Sequence, residues 1–253
     1  MGFIKSIISK ILYQPLFNAL IFLVWLMPYH SVGMAIIILT IILRIILLPS
    51  SAKSIIAQKQ MQELQPELDK IKEQYKDNKE AQSKATMDLY QRNKINPLGG
   101  CLPLLIQLPI LIVLYYVFRS GLDTSHFNLL YSFMPRPEYM NDVFLGMKLS
   151  SPSIYLAVVA GLLQFWQSKQ MAPRKSTNTA SADKGAKLQS MITNQFTYVM
   201  PVFTIMIAMS LPAALALYWS VTSLFSIAQQ WWFARKPLPK SGVQITIKGK
   251  DTK

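Results

Sequence analysis

The sequence has few of the side chains that usually carry catalysis. Cys101 is its one cysteine, which excludes a disulfide framework within the chain. Its two histidines, His30 and His126, both fall outside the long apolar runs, so no histidine there can serve a nucleophilic serine. Paired carboxylates and clusters with metal-ligand spacing are also missing from the sequence pattern. These absences argue against an enzyme, a metal site and a bound cofactor.

Acidic residues are scarce as well, since 12 Asp and Glu stand against 26 Lys and Arg, and none of the 12 falls in an apolar run. Hydrophobic residues make up 51% of the 253 positions and are gathered into long blocks, as in membrane proteins. Ser210-Leu211-Pro212 divides the last block in two. The sequence therefore predicts an all-α integral membrane protein with five transmembrane helices, at about 32–50, 98–119, 153–169, 196–211 and 212–234.

Residues 16–27 form a sixth apolar stretch, which is only about a dozen residues long and is stopped by Pro28. That length favours a helix lying in the membrane interface over a further span. We therefore predict an N-terminal region, 1–31, that holds an outer interfacial amphipathic helix.

The basic residues predict the orientation of the bundle. They are concentrated in the segments 51–96 and 169–187 and in the tail 237–253, which five spans place on one side of the membrane. An excess of Lys and Arg marks the cytoplasmic side, so the N-terminus is predicted outside and the C-terminus inside. The basic, disordered tail needs no DNA partner, because membrane topology accounts for the charge.

The segment 52–96 is predicted to form a cytoplasmic antiparallel helical hairpin. Apolar residues in its first arm alternate spacings of three and four, which is typical of a coiled-coil seam. A polar turn at 76–79 separates this arm from a second, weaker helical pattern. The seam residues are Met61, Leu64, Leu68, Ile71 and Tyr75.

Arg44 is the most informative residue, because it lies inside the first apolar run. A central arginine costs about 2.5–3.5 kcal/mol on insertion scales. One interpretation is that it snorkels to the nearby headgroups. The other is that it faces inward to a hydrated cavity, since helical spacing places Thr40 on its face. Other spans supply Gln107, Gln164, Thr204, Ser220, Thr222 and Ser223.

Several stretches resemble one known family, the YidC, Oxa and Alb membrane protein insertases. The most specific runs from Asn96-Pro97-Leu98-Gly99-Gly100-Cys101-Leu102-Pro103 through Gln107 and Pro109 to Tyr115-Tyr116. The arginine span, the hairpin and Leu217-Tyr218-Trp219 match as well. The resemblance covers about 13–236 and is to a short bacterial form, without the large outer domain of some members. It implies residence in the bacterial inner membrane.

The resemblance also implies a five-span core, 32–236, with a hydrophilic groove open to the cytoplasm and the lipid. Arg44 matches the groove arginine, and Thr40, Gln164, Tyr218 and Trp219 match substrate-contact positions. The implied substrates are nascent membrane proteins, which leave the groove sideways into the lipid bilayer. The hairpin and basic tail would capture the nascent chain, the ribosome, the signal recognition particle or its receptor, and the core would act alone or with the Sec translocon.

Two other functions remain open at this stage. The chain is an anion channel or exporter if Arg44 serves as a selectivity charge. It is a scaffold if the hairpin seam gathers partners and Arg44 is dispensable. Steady ion conductance from the purified protein would favour the channel or exporter. Loss of function on substitution of Leu64, Leu68 and Ile71, but not of Arg44, would favour the scaffold.

Overall fold

Residues 9–93, 95–96, 102–120, 128–171 and 195–235 are described by the computed structural model. Several sequence-based predictions concern residues outside these ranges, namely the stretch 97–101 with Cys101, His126 and the tail 237–253. Nine α-helices lie within the described residues: α1 Gln14–Leu26, α2 Val32–Ile46, α3 Leu48–Glu63, α4 Gln65–Gln74, α5 Lys79–Arg92, α6 Leu102–Ser120, α7 Ile154–Met171, α8 Met200–Ala208 and α9 Ala213–Ala234. A short antiparallel hairpin, β1 Val143–Phe144 and β2 Met147–Lys148, precedes α7.

The described part of the chain is predominantly helical, which agrees with the predicted all-α class. Among the described residues no single helix passes a length and hydropathy test for a membrane span, whereas α2 and α3 pass it as a pair bent by 64°. The count of five crossings and the domain boundaries stay predictions.

The first predicted span, 32–50, is not one straight helix. Helix α2 ends at Ile46, and α3 begins at Leu48 with Pro49 in its first turn. Proline has no N–H to donate and its ring crowds the preceding turn, so the chain bends where Pro49 would otherwise continue the helix. The bend directs α3 away from the axis of α2 and lets it enter the hairpin segment.

Helix α9 is the centre of the bundle, where it packs against α2, α6 and α7, while α7 packs against α8. Alanines let these helices approach closely, because a small side chain brings the two backbones together. The fully buried alanines are Ala213, Ala214 and Ala216 on α9, with Ala157 and Ala160 on α7.

The loop before α7 caps one end of the bundle, which we call the cap end. The Val32 N–H donates to the Asn141 carbonyl at 3.0 Å, and the Ala213 N–H donates to the Ser151 carbonyl at 2.9 Å. These bonds satisfy N–H groups that the first turn of a helix leaves without an intrahelical partner. Helices α2, α7 and α9 therefore all begin at the cap end and run in the same direction.

Helix α1, the predicted interfacial helix, is fastened to the cap end by Asn18, whose side chain is 1% exposed. Its Nδ2 donates to the Leu129 carbonyl at 3.2 Å, and its Oδ1 accepts from the Tyr131 N–H at 2.8 Å. One face of α1, with Phe17 and Ile21, is buried in the core. The polar residue that interrupts the apolar stretch is thus the residue that fixes the helix.

The predicted hairpin contains three helices. Its first arm breaks at Leu64, because Pro66 lies in the first turn of α4. Helices α4 and α5 pack against each other, and Asn78 caps α5 by accepting from the Ala81 N–H at 3.0 Å. Of the five predicted seam residues, Leu64 and Leu68 are buried, whereas Met61, Ile71 and Tyr75 are partly exposed.

Candidate functional site

Arg44 lies near the end of α2, in the last turn before the bend. Twelve residues separate it from Val32, which places it about 18 Å along the helix from the cap end. Its side chain is partly buried. Within the described residues, the one ion pair joins Lys72 and Asp69 in the hairpin, so none of the described carboxylates pairs with Arg44. Its guanidinium group lies near the side chain of Tyr218 on α9.

A side-chain hydrogen bond to Tyr218 joins α6 to α9. The Gln107 Nε2 donates to its phenol oxygen at 2.6 Å, and the tyrosine side chain is 4% exposed. The structure therefore brings three of the predicted groove residues together, on three helices: Arg44 on α2, Gln107 on α6 and Tyr218 on α9. Trp219 follows on the next face of α9 and is partly exposed.

Thr40 is buried one turn before Arg44 on the same face of α2, with 1% of its surface exposed. Its hydroxyl donates to the Ile36 carbonyl at 2.6 Å. A threonine that bonds back to its own helix keeps lone pairs of its oxygen free to accept. Thr40 can therefore accept a hydrogen bond without giving up the one it donates.

Gln164 lies on α7, and its buried Oε1 has no hydrogen-bond partner within the described part of the chain. The hydroxyl oxygen of Thr222 on α9 is likewise buried and has no hydrogen-bond partner among the described residues. Counted from the starts of their helices, the two residues lie about 15 and 14 Å from the cap end. A buried polar group without a partner costs about 1–3 kcal/mol. The oxygens of Gln164 on α7 and Thr222 on α9 can therefore each still take part in a hydrogen bond.

The outward-facing surface of the same helices is apolar. Large hydrophobic side chains that are more than a third exposed include Ile45 and Ile46 on α2, Ile112 and Tyr116 on α6, Val159 and Leu162 on α7, and Phe203 and Met206 on α8. Polar groups thus face inward and apolar groups outward, which is the arrangement that lipid favours. At the end opposite the cap end, Arg235 stacks on exposed Trp231, with 3.6 Å from its guanidinium carbon to the ring centroid.

Comparisons with known proteins agree with one another. A family model described as 60Kd inner membrane protein matches residues 25–240. A membrane protein insertase YidC of Fusobacterium nucleatum subsp. nucleatum is 37% identical over 206 residues, which cover 81% of this chain and 86% of that protein. A YidC of Oceanobacillus iheyensis is 39% identical over 202 residues, covering 78% and 72%. In the longer YidC of Geotalea daltonii, 32% identical, the match covers 35% of that protein.

The chain belongs to the 60Kd inner membrane protein family. The resemblance found in the sequence is therefore confirmed.

Sequence reasoning named Tyr218 and Thr222 but missed the polar stripe on α9 to which both belong and which continues toward the far end of the bundle. Its members are spaced by four, four and three residues, so they share one helix face. All four are nearly buried, with exposed fractions of 4–7%: Tyr218, Thr222, Ser226 and Gln229. The spacing is visible in the sequence and could have been found by searching the last apolar run for a polar periodicity.

The far end of this stripe holds the beginning of the hairpin segment. Gln229 Nε2 donates to the Ser51 hydroxyl at 2.7 Å, and Lys59 Nζ donates to the Phe233 carbonyl at 3.0 Å. Ser51 and Lys59 are two helical turns apart on α3, so the two bonds fix its direction against α9. The hairpin residues Leu64 and Leu68 follow directly after this fixed stretch.

Proposed function

We propose that this chain is a membrane protein insertase of the bacterial inner membrane. It takes segments of nascent membrane proteins into a polar groove between α2, α6, α7 and α9, and releases their apolar parts sideways into the lipid. The observation that carries this proposal is a partly buried Arg44 that lies near Tyr218 and pairs with none of the described carboxylates.

Arg44 supplies the attraction for the segment that must cross. An acidic residue at the centre of a bilayer costs about 2.5–3.5 kcal/mol on insertion scales. Two opposite charges about 4 Å apart at an effective dielectric constant of about 20 attract by about 4 kcal/mol. The attraction is therefore large enough to offset the cost of bringing one carboxylate to the level of Arg44.

Neutral polar groups supply partners for the rest of the entering segment. The unpaired oxygens of Gln164 and Thr222 accept hydrogen bonds, and Tyr218 is held in place by Gln107. A backbone N–H of the entering segment that reaches these oxygens replaces its hydrogen bond to water with one to the protein, so it is not left without a partner. Thr40 and Trp219 line the path above and beside Arg44.

Release is driven by the substrate itself. Each Leu, Ile, Phe or Val near the centre of a span contributes about −0.3 to −0.6 kcal/mol on insertion scales, so a span of about 20 such residues gains several kcal/mol in lipid. No nucleotide and no catalytic residue is needed for this step. The exposed apolar surfaces of α2 and α7 lie beside the groove and offer the substrate a continuous path into lipid.

The segment after α2 serves as the cytoplasmic receiving element in this proposal. Its first helix, α3, is hydrogen-bonded to α9 through Ser51 and Lys59. A partner that displaces the hairpin therefore also strains these bonds to the polar stripe of α9. The partners we propose are the ribosome, the signal recognition particle or its receptor, and the Sec translocon. The N-terminus then lies outside and the C-terminus in the cytoplasm.

The proposal is tested by supplying purified protein in liposomes with a small single-span substrate that has an acidic outer segment. Protease protection of that segment, above the level of empty liposomes, is the expected result. Protection equal to that of empty liposomes, together with steady anion conductance in a planar bilayer, would favour the rival function of an anion channel or exporter with Arg44 as its selectivity charge.

A further inference from the structure

The β-hairpin at the cap end carries an unusual residue at its tip. Its two central residues are Leu145 and Gly146, whose φ angles are 49° and 76°. Two successive positive φ angles define the tight hairpin turn in which Asn-Gly is favoured, because few residues with a β-carbon tolerate the first position. Gly146 meets this requirement, whereas Leu145 is held in a backbone conformation that strains an apolar residue.

Folding of the described chain gains little from this leucine, because its side chain is 78% exposed. The neighbouring hairpin residues divide into two faces. Phe144 and Met147 pack against the core, while Val143 and Lys148, which are paired across the strands, face away from it. The hairpin therefore has an apolar tip, an apolar Val143 that is 50% exposed, and a basic residue behind them.

The position of the hairpin along the bundle is fixed by a close contact. A β-carbon on Gly33 would collide with the ring of Phe144, so the hairpin lies directly on the first turn of α2. The apolar outward surface of α2 begins in the same turn, with Met34 40% exposed. Leu145, the residue after Phe144, thus lies at the level where the apolar surface of the bundle ends.

Other aromatic residues are exposed in the cap-end segments. Tyr29 is 82%, Phe133 77% and Tyr139 55% exposed. Exposed aromatic residues at the end of an apolar bundle are typical of the boundary between hydrocarbon and headgroups, where amphipathic rings are favoured. A lysine behind an apolar tip fits the same boundary, since its ammonium group reaches the phosphates while the tip enters the acyl region.

We propose that the β1–β2 hairpin is a membrane anchor whose tip, Leu145, inserts into the lipid leaflet at the cap end, with Lys148 at the phosphate level. Lipid contact accounts for an exposed leucine at a strained position, which the folded chain alone does not. The anchor holds the cap loop, and with it the first turns of α2 and α9, at a fixed depth. This role does not depend on the insertase function.

The test uses the full chain in liposomes, with Cys101 replaced by Ser and an environment-sensitive NBD fluorophore on Leu145→Cys. The matched control carries NBD on Glu138→Cys, an exposed position in the same loop. We expect the emission at position 145 to be blue-shifted relative to position 138, and to be quenched several-fold more by lipids that carry a doxyl group near the headgroup.

A second variant separates lipid contact from folding. Leu145→Asn suits the turn, so the hairpin is retained, but its tip is polar. With NBD on Val143→Cys, we expect Leu145→Asn to reduce doxyl quenching and Leu145→Phe to preserve it. Equal emission and quenching at positions 145 and 138 would overturn the proposal. A blue shift without doxyl quenching would overturn it too, because the tip would then contact protein.

Discussion

The Gln107 amide donates a 2.6 Å hydrogen bond to the phenol oxygen of Tyr218, and this bond joins α6 to α9 beside the charge of Arg44. The two residues are 111 positions apart in the chain. Because Tyr218 is almost fully buried, the bond fixes the phenol in one place, and the phenol keeps its hydroxyl hydrogen to donate.

This bond predicts strong coupling between its two partners. Gln107→Leu leaves the buried phenol without its donor and is expected to cost about 1–3 kcal/mol, or about 2–12 °C in the unfolding midpoint for a chain of this size. Tyr218→Phe removes the other partner. Thermal unfolding in detergent should show that the double variant loses no more than the worse single variant. Additive losses would show that the bond does not form.

The close contact between Gly33 and Phe144 predicts that the effects of substitutions at these two positions on stability are coupled. Gly33→Ala places a methyl group against the Phe144 ring and is expected to destabilise the protein by about 1–3 kcal/mol through overpacking. Phe144→Gly removes both the ring and the β-carbon that meet this methyl group, so Gly33→Ala should cost much less stability in a Phe144→Gly chain than in wild type. Thermal unfolding of wild type, the two single variants and the double variant checks this, and an equal cost of Gly33→Ala in both backgrounds would contradict the close packing.

Asn18 predicts local opening of the cap loop. Asn18→Leu removes the acceptor of the Tyr131 N–H, so hydrogen exchange at the Tyr131 amide should become faster by about fivefold or more, for a lost bond of about 1–3 kcal/mol. Asn128→Leu, at an exposed position beside Leu129, is the matched control and should change nothing.

Unchanged exchange at Tyr131 in the Asn18→Leu variant would show that α1 is not fastened to the cap loop through this residue.

Sequence patterns predicted the all-helical class, because apolar runs and prolines act locally. Arg44 could be singled out from one charge in an apolar run, whereas Tyr218 and Trp219 came only from the family resemblance. A tyrosine in an apolar helix has no local feature that reveals its partner. Contacts such as Gln229 with Ser51 join residues 178 positions apart and depend on how helices pack, which a periodicity does not specify.

Two local features were not predicted for physical reasons of their own. The bend at Leu47 is caused by Pro49, which lies in the first turn of α3. The apolar run continues through this position, so hydrophobicity alone predicted one straight span. The β-hairpin has strands of two residues each, which are too short to show an alternating pattern.

The central claim is that the charge of Arg44 draws acidic segments into the membrane, and one comparison tests it directly. Wild type, Arg44→Ala and Arg44→Lys are reconstituted in liposomes with two versions of one single-span substrate, whose outer segment carries either Asp or Asn at the same positions. Protease protection is measured for all six pairs against empty liposomes. We predict that Arg44→Ala lowers insertion of the Asp substrate at least about tenfold, because it removes an attraction of several kcal/mol, while Arg44→Lys retains most of it and the Asn substrate changes little. Equal insertion of the Asp substrate by wild type and Arg44→Ala would contradict the account.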